Sequence, residues 1–270
     1  MYKLIAIDMD GTLLTEEKTI SPKTKEVIER ASKDGVKVVL ASGRPVEGLL
    51  RYLDELGLNT DHDYVMSFNG SVVQNVGTRE ILCKNILSGA DLDKLYKLSK
   101  EIGVNIHAFI PQGCITPVMN EYTQLEGRIN KIPVHEADYS EISMDEEVIK
   151  IMFIDPEEVL EAAIPKIPAS IYEEYEVVRS APYFLEFLNK NTGKGKAVSA
   201  LAEKLGIKQE EVMCIGDANN DLEMIEWAGM GVAMENGFSE VKEKANFVTK
   251  SNEEDGVAYA ISKFLGYEWN

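Results

Sequence analysis

Positive charge is scarce in this sequence. Across 270 residues, 28 lysines and arginines stand against 46 aspartates and glutamates, a formal charge of −18. Such a balance excludes general binding to nucleic acid or to an anionic membrane. Cysteine is scarce as well. Cys83, Cys114 and Cys214 are scattered, odd in number and without CxxC spacing, so no disulfide framework is expected and the thiols read as reduced. The three histidines share no ligand spacing, which argues against a zinc site. No apolar run is long enough to cross a bilayer. The first residues lack the basic region, apolar run and cleavage site of a leader, and a cytoplasmic location is expected. Repeats and low-complexity tracts are also missing.

What remains is the composition of an ordinary soluble protein, 44% hydrophobic and 27% charged. Its length suits one large domain or two smaller ones. The first third alternates strand and helix. Leu4-Ile5-Ala6-Ile7 is an apolar strand, and Ser21-Pro22 starts a helix with a hydroxyl cap and Pro at its first position. Val36–Ala41 and Tyr64–Phe68 read as further buried strands, with a helix between them. This rhythm implies right-handed crossovers and a parallel sheet. It resumes at Gly193, with strands at Val212–Ile215, Gly231–Met234 and Phe247–Thr249 separated by helices. Between roughly 83 and 188 the pattern is less regular. Short strand candidates (Asn105–Ile110, Val148–Asp155, Glu176–Ser180, Phe184–Asn189) accompany a helix with the stripe Leu92, Leu95, Leu98 and Ile102. The fold class is therefore α/β: a Rossmann-like core from residues 1–82 and 189–270, with an inserted α+β domain at 83–188.

Polar residues mark the strand ends. Asp8-Met-Asp10-Gly-Thr12 follows the first strand, Ser42-Gly43-Arg44-Pro45 the second, Asn69-Gly70 the third and Gly216-Asp217 a later one. In open α/β sheets that edge is where ligands bind. Taken singly, each has a bland explanation: Asp and Ser cap helices, and Lys194 could be a solvated lysine. Their joint placement points to chemistry. Other motifs fail on detail. Asp217–Asp221 opens like an EF-hand loop, but Leu222 replaces the needed Gly and Ala228 the closing Glu. Gly193–Ala197 lacks the spacing of a Walker loop.

These motifs resemble the haloacid dehalogenase superfamily of phosphatases, and within it the Cof-type (subfamily IIB), YidA-like bacterial sugar phosphatases. The matching residues are Asp8–Leu14, Ser42–Pro45, Lys194-Gly195, Gly216–Met224 and the tail Ala245–Val257. The resemblance implies a core with a cap of the αβ type, C2B, serving substrate selection. It implies Asp8 as nucleophile forming an aspartyl-phosphate and Asp10 as general acid, then base. Ser42, Lys194 and the backbone after Asp8, at Met9, would hold the phosphoryl group, with Gly43, Arg44, Asn69 and Asn220 as further substrate contacts. Lys190 and Lys196 lie near enough to compete with Lys194, and Arg44 could equally make a structural ion pair. Converging carboxylates need a cation, and Mg²⁺ suits an all-oxygen site. Its ligands would be Asp8, Asp217 and the Asp10 carbonyl, supported by Thr12 and Asp221. Arg179 and Glu186 could face substrate from the cap, although a solvent-facing role is the more ordinary one for strand residues.

The expected partner is a small phosphorylated metabolite, a sugar phosphate first, then flavin mononucleotide or pyridoxal phosphate. A phosphomannomutase-like isomerase is the rival from another class. Its relatives carry a longer insert where Gly216-Asp217 here reaches Asn220-Asp221 after two residues, which favours hydrolysis. A catalytically dead phosphosugar sensor would have no need of the second acid at Asp10.

Overall fold

A computed structural model of the chain describes residues 2–269. It separates into two compact units, one formed by the chain up to Lys84 together with that from Gly193 onward, the other by Asn85–Thr192.

The first unit is built on an eight-stranded sheet. Its strands run in the order Phe247–Val248, Met230–Ala233, Val212–Gly216, Leu4–Asp8, Lys37–Ala41, Tyr64–Ser67, Val72–Asn75 and Ile81–Lys84. Neighbours are parallel as far as Tyr64–Ser67, and the last two strands fold back antiparallel. Parallel neighbours need crossovers, and helices Pro22–Lys33, Leu50–Glu55, Leu222–Trp227 and Ser239–Lys244 supply them. The central strands are apolar throughout because both faces are covered. Ile5, Ile7, Val38, Leu40 and Ile215 pack with Val27, Ile28, Ala31, Leu53 and Ile261 on one side. Leu4, Ala6, Val39, Ala41 and Cys214 pack with Val198, Leu201 and Met224 on the other. The Pro22–Lys33 helix begins where the sequence indicates. Ser21 Oγ accepts from Thr24 N at 3.0 Å, a cap contributing about 1 kcal/mol.

The second unit carries a six-stranded sheet ordered Tyr175–Ala181, Phe184–Asn189, Lys150–Ile154, Asn105–Ile110, Gly113–Thr116 and Val134–Glu136. Its apolar face holds Ile106, Ala108, Ile151, Phe153, Leu185 and Phe187 against the helix Gly89–Ile102, whose Leu92, Leu95, Leu98 and Ile102 are buried. That helix starts with a capping box, Ser88 and Asp91 bonding each other's backbone N–H.

Two sequence expectations need correction. The inserted unit starts at Asn85 rather than 83, because Ile81–Lys84 pairs with Val72–Asn75 as the outermost core strand. It ends at Thr192 rather than 188, since Thr192 Oγ1 still bonds Asn85 O, at 3.2 Å. Glu186 does not face solvent. It is buried with Lys150, Nζ at 3.2 Å, and Glu126 lies 3.7 Å from the same ammonium. Arg179 bonds Ala181 O at 2.9 Å and pairs with Glu161.

Candidate active site

Because the central strands are parallel, their carboxyl ends share one edge of the sheet. Asp8 is the last residue of its strand, Asp217 follows Gly216, Ser42 follows Ala41, and Asn69 lies in the turn after Ser67. The helix Lys194–Leu205 opens with Lys194, which is 1% exposed. A buried ammonium demands anionic partners. Lys194 Nζ donates to Asp8 Oδ1 and to Asp221 Oδ1, the latter at 2.6 Å. Lys190, by contrast, donates to the carbonyls of Tyr172 and Tyr175 in the inserted unit.

Burial and then the Asp221 charge push the Asp8 carboxyl well above its ordinary range, outweighing the pull of Lys194. Burial alone would lower Lys194, but Asp221 and Asp8 turn the balance and raise it. Asp221 is committed on both oxygens. Its Oδ2 accepts from the N–H groups of Asp217 and Ala218 at 3.0 and 3.1 Å. A side chain at Gly216 would put its Cβ 2.5 Å from the Asp221 Cβ, so glycine is required for that acid to fold beneath the strand end.

Asp217 is raised mainly by burial, against the hydrogen bond it accepts from Thr12 Oγ1 at 2.8 Å. Gly11, at φ +85°, brings the turn after Asp10 onto this carboxylate; a Cβ there would fall 2.5 Å from Asp217 Oδ2. Oxygen atoms of Asp8, Asp217 and Asp221 all lie within 4.8 Å of one another. Three carboxylates against one lysine leave a local excess of negative charge, and the donors are hard oxygens throughout. The residues therefore fit a divalent cation. Asp221, already held by Lys194 and two backbone N–H groups, suits a supporting place better than a direct one.

Asp10 sits apart from these acids. Arg44 clasps it with Nε on Oδ2 at 2.9 Å and a guanidinium NH2 on Oδ1 at 2.6 Å, and Lys18 Nζ reaches Oδ1 at 2.8 Å. Burial tends to raise its pKa, but the Arg44 and Lys18 hydrogen bonds prevail and lower it. In this structure Arg44 is thus an ion-pair partner of Asp10. Ser42 is 2% exposed, and its Oγ accepts from Arg44 N at 3.2 Å. Asn69, in the left-handed region at φ 56°, accepts on Oδ1 from Asn220 Nδ2 at 3.2 Å, and Gly43 lies against its amide. The Met9 side chain is fully buried in the apolar core, so only its backbone faces the turn.

Two contributors escaped the sequence reading. Asn236 donates Nδ2 to Gly11 O at 2.8 Å, from the loop after the parallel strand Met230–Ala233. The strand-end rule that singles out Asp8 and Asp217 would have found it. Lys18 carries no such signal, since it lies in an irregular turn.

The chain matches the haloacid dehalogenase-like hydrolase family over residues 5–261. It is 47% identical over 267 residues to the putative phosphatase YxeH of Bacillus subtilis, covering 98% of this chain and 99% of that one. It is 30% identical over 296 residues to YwtE of Bacillus subtilis, a 5-amino-6-(5-phospho-D-ribitylamino)uracil phosphatase, with 99% of each covered. Its fold is similar to that of BT4131, a subclass IIB sugar phosphatase of the superfamily. The TM-score is 0.80 at 27% identity, over 98% of this chain and 99% of that one. The chain belongs to the haloacid dehalogenase-like hydrolases.

Proposed function

We propose that this hydrolase removes phosphate from small phosphorylated metabolites in the cytoplasm, sugar phosphates foremost, with Mg²⁺ and through an aspartyl-phosphate on Asp8. The observation that carries the reading is the buried contact of Lys194 with Asp8 and Asp221, beside Asp217, at one sheet edge. A structural ion pair would have no use for the extra carboxylates, which destabilise the chain unless a cation occupies them, and a cation held there can in turn receive a phosphate. The preference for a phosphorylated polyol is supported by two relatives. BT4131 is a sugar phosphatase, and the YwtE substrate bears its phosphate on a ribityl chain.

Asp8 attacks phosphorus through a carboxylate oxygen, and the bond from phosphorus to the ester oxygen breaks. The departing alkoxide takes a proton from Asp10. Water then attacks the phosphoryl-Asp8 phosphorus while Asp10 accepts its proton, freeing Asp8 and releasing inorganic phosphate. Three N–H donors on Asp10 favour its carboxylate form, the one that acts in this second half. Lys194 neutralises Asp8 and the incoming phosphoryl oxygens, and Ser42 and the Met9 backbone donate to them, as fixed donors that need no reorganisation. Asn69 and Asn220, braced against each other, with Gly43 and Arg44 complete the substrate contacts. Mg²⁺, held by Asp8, Asp217 and the Asp10 carbonyl with Asp221 and Thr12 behind them, would supply charge neutralisation to the phosphate. Substrate choice is assigned to the inserted unit.

The test is phosphate release from a panel of sugar phosphates, flavin mononucleotide and pyridoxal phosphate, with Mg²⁺ or EDTA, for wild type and Asp8→Asn. Mg²⁺-dependent release that disappears in the variant supports the reading and ranks the substrates. A folded wild-type protein that releases phosphate from none of them sinks it.

A further inference from the structure

We propose that Lys18 is a positioning residue for the proton transfers of Asp10, fixing that carboxylate so that one of its oxygens, Oδ2, is left to exchange the proton. This rests on the assignment of Asp10 as general acid and base made above.

Three donors meet the carboxylate unequally. Arg44 spans both oxygens and sets the carboxylate plane, which a bidentate guanidinium does well. Lys18 adds a second donor to Oδ1 alone, at 2.8 Å. Oδ1 therefore has two N–H partners and Oδ2 one. With its lone pairs directed elsewhere, Oδ1 is a poor proton carrier, and the exchangeable site falls to Oδ2.

Lys18 is placed for this by a turn with an uncommon backbone conformation. Its φ is +59°, in the left-handed region that a residue with a Cβ rarely occupies. The turn is closed from several directions. Lys18 N donates to Thr15 O at 2.9 Å, Thr15 N to Thr19 O at 3.0 Å, and the two threonine hydroxyls meet at 2.9 Å. Tyr52, 2% exposed, donates its hydroxyl to Lys18 O at 3.2 Å, and its ring lies 5.9 Å from the Arg44 guanidinium. One buried tyrosine thus borders both arms of the clasp. An unfavourable backbone held in place by its surroundings and aiming a cation at a reacting group is where function is to be sought. As an ordinary surface pair, Lys18 and Asp10 would contribute little to stability, so the geometry is better explained by what it does to Asp10.

The experiment compares two substrates that differ in their need for an acid. p-Nitrophenyl phosphate leaves as a stable anion and needs little protonation; a hexose 6-phosphate leaves as an alkoxide and needs it fully. Lys18→Met, Lys18→Arg, Asp10→Asn and the double variant Asp10→Asn/Lys18→Met are measured with Mg²⁺. Lys18→Met is expected to lose about tenfold more kcat on the hexose 6-phosphate than on the aryl ester, with KM little moved. Lys18→Arg should restore most of it, and in the Asp10→Asn background the Lys18 change should cost nothing further. An equal loss on both substrates, or an additive loss in the double variant, overturns the role of Lys18. If Asp10→Asn itself shows no dependence on the leaving group, the assignment of Asp10 fails, and this proposal with it.

Discussion

Both sheets of this protein carry buried charge, and they use it in opposite ways. In the core sheet the charged residues stand at the strand ends or just past them, where the backbone pairing finishes. Asp8, Asp217 and Asp221 crowd together there with Lys194 as their one buried cation. In the inserted unit they stand inside the fold: Lys150 opens one strand, Glu186 lies within another, and Glu126 comes from the helix Glu121–Asn130. Lys150 pairs there with Glu126 and Glu186, and His107 bonds Thr123 Oγ1 at 3.2 Å. This buried set nearly balances itself, leaving Glu186 Oε2 and Asn130 Oδ1 unpartnered among the described residues. The strand-end set does not balance at all. Charge placed within a sheet must find its partners in the fold, whereas charge placed past the sheet's edge can be left for a ligand to complete.

The largest effect should come from breaking the unbalanced set. Asp8→Asn is expected to lower phosphate release by on the order of 10⁴-fold or more, with the chain still folded by circular dichroism, because a neutral amide relieves the crowding. Lys150→Met probes the balanced set and should do the reverse. It leaves two buried carboxylates without their cation and should cost about 3–5 kcal/mol in denaturant unfolding. Adding Glu126→Gln and Glu186→Leu should recover most of that loss. Recovery failing there would show that the trio does more than balance charge.

The two units should also differ in the sign of their pH dependence. Asp8 and Asp217 are raised, so the folded core holds their protons more tightly than the unfolded chain does. Their contribution to stability is present in acid and is lost as pH rises through the raised values. Thermal melts in EDTA should therefore fall toward neutral pH; Asp8→Asn should flatten the slope, and Mg²⁺ should offset it. His107 works the other way. Burial, helped by the Lys150 charge, lowers it from 6.5 to about 3. Its contribution is complete above 6.5 and is lost as pH falls toward about 3. Glu126, raised by burial, opposes it in acid, so His107→Gln isolates the histidine. Hydrogen exchange in the Asn105–Ile110 strand reads the difference. A His107→Gln protein with the wild-type acid profile would contradict the buried neutral ring.

The smallest effect separates positioning from bulk stability. Thr12→Val removes the hydroxyl that holds Asp217 at 2.8 Å. Metal affinity, read by calorimetry, should fall about tenfold, while unfolding changes by only about 1 kcal/mol. Equal losses in metal affinity and stability would make Thr12 a structural residue alone.

The core strands were legible because strands covered on both faces must be apolar throughout. Val36–Ala41 and Val212–Ile215 can be nothing else so close to a Gly turn. The hairpin Val72–Asn75 with Ile81–Lys84 was not legible, since the second strand is half exposed and lacks that signature. Gly113–Thr116 and Val134–Glu136 were missed for a related reason: three or four residues are too few to show a period. Glu186 was misplaced because alternation tells which face a strand residue takes and not what covers that face. A helix, Glu121–Asn130, contributes the Glu126 that shares Lys150 with it.

By itself the sequence determined which residues stand at the strand ends and that a parallel sheet gathers those ends on one edge. Local patterns suffice for that, because periodicity and turn chemistry act over a few residues. Only the tertiary structure decided which lysine meets Asp8, which groups hold Asp221 in its supporting place, and that Arg44 and Lys18 both hold Asp10. The Lys18–Asp10 and Lys194–Asp8 contacts join residues 8 and 186 positions apart. Their partners are selected by burial and charge once the chain has closed, and no local pattern records them.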